Sequence, residues 1–108
     1  MTTTSDFIAE LIRAANEIGR IDDFERRGLL YRAVITIRDM RETIGIPESR
    51  TTADALIYLQ KVAVQIEVGV ATDGAVSAAL LDAAGMIRDL HIVLDTKTKI
   101  QIGNATTS

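Results

Sequence analysis

Apolar and polar residues along this chain recur at the three- and four-residue steps of helices, in four separate stretches. In the first, "DFIAELIRAANEI", Phe7, Ile8, Leu11, Ile12, Ala15 and Ile18 make one apolar stripe. Thr4 or Ser5 is placed to cap it and Gly19 to end it, which predicts a helix over residues 6–18. In the second, Asp22 with Glu25 three residues on is a capping-box arrangement. Leu30, Val34, Ile37, Met40 and Ile44 form the main stripe that follows, with Phe24, Tyr31 and Ile35 to one side. That helix should cover residues 22–44. "GIPESR" breaks it, because Gly45 frees the backbone and Pro47 disfavours helical geometry at Ile46.

The third stretch pulls two ways. From Val62 to Val70 the apolar residues fall on every second position, the alternation of a half-buried strand. Yet Leu56, Leu59, Ala63, Ile66 and Val70 keep a three-four spacing that begins before this run and passes through it. A strand would need a break near Lys61, and no Gly, Pro or turn residue stands there. β-branched residues cost a helix only a few tenths of a kcal/mol each, which burial overrides. The pattern therefore predicts a helix over residues 51–70, with Thr51 as its cap. Ile57, Val64 and Val68 then occupy a second face, so this helix is apolar on two sides.

"ATDG" reads as a loop with Thr72 or Asp73 capping a fourth helix over residues 73–95, striped by Val76, Leu80, Ala83, Ile87, Leu90 and Leu94. The small residues of "AALLDAAG" let a neighbour approach closely. Past Asp95 the helical period is lost, and Ile100 and Ile102 alternate with Lys99 and Gln101. Residues 96–108 are expected as an extended, frayed tail. The fold class that follows is all-α, a single domain over residues 1–108. The architecture is a four-helix antiparallel bundle or two packed helical hairpins, with an extended C-terminal tail.

Composition narrows what such a bundle can do. A chain of 108 residues, 47% hydrophobic and 25% charged, can bury one real core without staples. It holds no cysteine, hence no thiolate nucleophile, disulfide or cysteine metal site. The net charge is −3, and residues 1–50 carry eight Arg against nine acids. No part is a basic domain, which counts against attraction to phosphates. "MTTTSDF" lacks the charged start and apolar run of a secretory signal, and no uninterrupted apolar run reaches 18 residues. A cytoplasmic protein without a membrane segment is the expectation.

Candidate chemistry is sparse. His91 is the only histidine, and with Asp95 one turn on it offers two ligands at most, so a pairing at the edge of the stripe is expected. Asp22, Asp23 and Glu25 are explained by capping and the field at a helix start. Arg26, Arg27, Arg32, Arg38 and Arg41 interleave with acids, as a solvated face does. Tyr31 and Tyr58 should fill core edges with a wet hydroxyl. No catalytic residue, cofactor or metal ligand emerges. The segment over residues 36–60 resembles a helix-turn-helix unit in outline, in which Arg50, Thr51 and Thr52 would face a DNA major groove. Few bases and an Asp54 that repels phosphate weaken it.

These residues point to a small non-catalytic regulatory or adaptor protein working through protein–protein contacts. Ile57, Val64, Val68, Leu81 and Met86 exceed what four short helices need for their own core, and are expected to form an isologous homodimer interface, with a further protein partner unidentified. A DNA-binding regulator using residues 36–60 is the alternative. A structural subunit of a larger assembly is the third reading.

Overall fold

The computed structural model describes the backbone of residues 3–45 and 50–107 and the side chains of residues 3–45 and 53–96. Its described backbone is four helices with no strand: α1, Thr4–Asn16; α2, Asp23–Ile44; α3, Arg50–Glu67; and α4, Asp73–Thr107. A short 3₁₀ turn, Ile18–Arg20, joins the first two. The ambiguous valine run is thus helical through Glu67, and Val68 N–H still donates to the Val64 carbonyl at 3.0 Å.

The helix ends carry the corrections. Thr3, one position before Thr4 and two before Ser5, caps α1: its hydroxyl accepts from Asp6 N–H at 3.0 Å, and the Asp6 carboxylate accepts from Thr3 N–H. A full capping box outcompetes a lone hydroxyl. α1 stops at Asn16, short of the expected residue 18, and Ile18 enters the tighter 3₁₀ turn. Asp22 does cap α2, accepting from Glu25 N–H at 2.8 Å. Gly45 ends that helix in the left-handed region at φ 81°, while Pro47 lies outside the described residues. α3 already includes Arg50, so Thr51 sits within its first turn and is not its cap. At the other end α3 stops at Glu67 rather than residue 70. Gly69 takes φ 81°, its N–H donates to Ile66 O at 3.1 Å, and Val70 N–H donates to Gln65 O at 2.9 Å. Such a paired closure needs a residue without a Cβ, and Gly69 supplies it.

Thr72 caps α4 through its hydroxyl, which accepts from Ala75 N–H at 3.1 Å. The extended tail is also corrected: α4 continues as helix through Thr107. No proline follows Asp95, and adding a residue to an existing helix needs no new nucleus, so the loss of apolar period does not end it.

α4 packs chiefly on α1 and α2, α2 also takes α3, and α3 touches α4 more lightly. Directions follow from side-chain links. Ser77 Oγ donates to Ala15 O at 2.9 Å, so α1 ends where α4 begins and the two are antiparallel. Arg26 near the start of α2 meets Asp73 at the start of α4, so these two run parallel. The core between them is aliphatic: Leu11, Leu30, Ile37, Leu59, Val76, Leu80 and Ile87 are wholly buried. Among the described residues no buried side-chain nitrogen or oxygen lacks a partner. This is an all-α bundle.

Candidate functional site: apolar helix faces

Two outward faces, rather than a cleft, distinguish the molecule. On α3, Leu59, Val62, Ala63 and Ile66 are buried. At 100° per residue, Ile57, Val64 and Val68 lie within about 40° of one another and about half a turn away from those four. They are 59%, 50% and 64% exposed, an apolar stripe pointing straight away from the core with Lys61 among them. Val70, just past the helix, extends it and is exposed too.

Leu81, expected with that group, is elsewhere. It lines a groove of about 190 Å³ between α1 and α4 together with Ile8, Ile12, Ala84, Gly85 and Arg88. Ile12, Leu81 and, farther along α4, Ile92 are exposed. Met86 is partly buried against the core. The five expected interface residues therefore divide into the α3 stripe, one member of the α1–α4 face, and one core-edge residue. Sequence periodicity gave the faces of each helix but not the neighbour beside each face.

Polar side chains mostly hold helices together. Tyr58 of α3 stands beside Asp82 of α4; burial first, then the Asp82 charge and hydrogen bond, raise its phenol above its ordinary value. Arg32 reaches Glu10 at 3.2 Å and lies over the Phe7 ring at 4.5 Å from its centroid, tying α2 to α1. His91 pairs with Asp95 at 3.4 Å. The charge pattern places Arg26 with the solvated arginines, yet its side chain is only 12% exposed. It donates to the carbonyls of Ile18 and Ile21 and to Asp73 Oδ1, the last at 3.0 Å. Its spacing ahead of Leu29, Leu30 and Ala33 places it on the core side of α2, a signal its charge obscured.

An open groove of about 460 Å³ at the α1–α2 corner is lined by Glu10, Arg20, Asp22, Phe24, Glu25, Gly28, Leu29 and Arg32. Asp22 is spent on its cap, and Arg32 and Glu10 on each other. Phe24, 78% exposed, stands at its rim, and no nucleophile–base pair converges there. Among the described residues no three His, Cys, Asp or Glu are grouped to hold a metal ion. The side chains of Arg50, Thr51 and Thr52 lie outside the described residues, as does the turn at residues 46–49. Comparisons with protein-family models, with curated proteins and with solved structures find no significant match to this chain.

Proposed function

We infer that this is a non-catalytic regulatory or adaptor protein of the cytoplasm that works through protein–protein contacts of its apolar helix faces and forms a homodimer. One observation carries the reading: the α3 stripe of Ile57, Val64 and Val68 is turned directly away from the core, and among the described residues nothing covers it. Burying large aliphatic side chains is the main favourable term in association, at roughly 25 cal/mol per Å², so a face of this kind gains by meeting a partner. Lys61 within it and Asp54 and Glu67 beside it supply a charged surround. The absence of cysteine suits a reducing compartment, and no helix among the described residues is long and apolar enough to cross a membrane.

The test has three parts. Sedimentation velocity at micromolar concentration should give a dimer; a monomer there contradicts self-association. Affinity capture from the native cell should recover a protein with the wild-type chain and lose it with Val64→Glu, whose circular dichroism should be unchanged. Random duplex DNA at low salt should not bind, and steeply salt-dependent binding would replace this reading with the DNA-binding one.

A further inference from the structure

The α3 stripe and the α1–α4 face cannot serve one partner in the same way, and their sizes separate them. The α3 stripe from Ile57 to Val68 is about 17 Å long and one helix, about 10 Å, wide. Its footprint is about 170 Å², far below the roughly 800 Å² of accessible surface each partner gives to a standard interface. The α1–α4 face runs about 27 Å from Gly74 to Ile92 and spans two helices, about 20 Å across. That is on the order of 500 Å² before side-chain relief is counted, about three times the α3 stripe and the nearer of the two to what a stable pair buries.

Its outward stripe on α4 is Gly74, Ala78, Leu81, Gly85, Arg88 and Ile92, a sector of about 80° on the helix, none of them buried. Small and large residues are ordered so that the stripe read backwards is its own complement. Laid antiparallel on a second copy about a two-fold axis at the level of Ala83, Leu81 meets Gly85 of the partner subunit. Arg88 meets Ala78 of the partner subunit, and Ile92 meets Gly74 of the partner subunit. Every large side chain faces a small one, at all six positions. The groove lined by Ile8, Ile12, Leu81, Ala84, Gly85 and Arg88 is the hollow that a knob would fill. An ideal Cβ on Gly85 or Gly74 touches nothing within 4 Å in the single chain, so neither glycine is required by its own fold. The space in front of each is open, so a neighbouring helix can approach the α4 backbone closely at both positions. Asp82, the acid nearest the axis, is turned to the other flank, where Tyr58 engages it.

We propose that the occupant of the α1–α4 face is a second copy of this chain, packed antiparallel through α4 about Ala83, and that the α3 stripe is left free for a different protein. This rests on the homodimer reading and adds which face forms it. Gly85→Leu fills the hollow, and by removing a helix-interior glycine it should fold at least as well as wild type. By sedimentation equilibrium it should raise the dimer dissociation constant more than about tenfold, while Val64→Glu should leave it within about twofold. The chain has no cysteine, so Ala78→Cys combined with Arg88→Cys should give a disulfide-linked dimer on mild oxidation. A folded, monomeric Gly85→Leu protein or that cross-link supports the proposal. A dimer that survives Gly85→Leu, or that fails to cross-link, overturns it while the homodimer stands. Wild-type protein that stays monomeric at micromolar concentration removes both.

Discussion

Arg26 shows how one side chain can fasten three segments. Its guanidinium donates to the carbonyls of Ile18 and Ile21, which belong to the corner between α1 and α2, and to Asp73 at the start of α4. Hydrogen bonds from a charged donor contribute about 1.5–3 kcal/mol, and leaving a partly buried carbonyl without its donor costs more than never having offered one. Arg26→Ala should therefore lower unfolding free energy by about 2–3 kcal/mol in urea titration. Asp73→Ala, which removes the well-exposed partner alone, should cost under about 1 kcal/mol. Tyr58 gives a second, pH-dependent expectation. Burial and then Asp82 hold its folded pKa above the unfolded value near 10. The folded state thus binds that proton more tightly, so the contribution is fully present below pH 10 and is lost as pH rises through the raised value. Tyr58→Phe should flatten the alkaline decline of the urea midpoint, measured between pH 8 and pH 11.

At the scale of the helix, glycine has opposite meanings within the same bundle. Gly69 occupies φ 81° in the closure of α3, where a Cβ strains the backbone. Gly69→Ala should destabilise by about 1–2 kcal/mol, read from thermal melts. The contrast explains which parts of the fold were legible. Helix faces were readable because burial imposes a three-four spacing on residues such as Leu59, Ala63 and Ile66, and this overrode the strand-like alternation of the valines. Ends were less readable, since they are decided by competition between nearby groups. Thr3 with Asp6 formed a two-way cap that Thr4 and Ser5 lacked. Gly69 closed α3 although the apolar pattern ran on to Val70. Beyond Asp95 the apolar period is lost in the sequence, yet the backbone stays helical to Thr107, because the period reads side-chain pattern and not backbone conformation. The proposed contact surface was half legible for the same reason. Exposure of Ile57, Val64 and Val68 follows from one helix, whereas placing Leu81 beside Ile8 and Ile12 depends on which helix lies next to α4.

For the whole molecule, the two apolar faces make different demands on concentration. Anything that binds the folded chain and not the unfolded one raises the melting temperature by mass action. If copies pair through the α1–α4 face, unfolding releases two chains per dimer, and Tm must climb with protein concentration. For a chain of this length a change of 1 kcal/mol moves Tm by about 4–8 °C. A hundredfold rise in concentration above the dissociation constant shifts the dimer by about 2.7 kcal/mol, or about half that for each chain. The wild type should therefore gain about 5–10 °C between 1 and 100 μM in scanning calorimetry. Ile57→Ser with Val64→Ser should keep the same slope, because the α3 stripe is outside the contact. Gly85→Leu should give a Tm independent of concentration, and at the lowest concentration it should melt no lower than wild type, since the helix has lost a glycine and the core has lost nothing. A wild-type Tm that does not move over that range means the chain stands alone, and both faces then await partners of another kind.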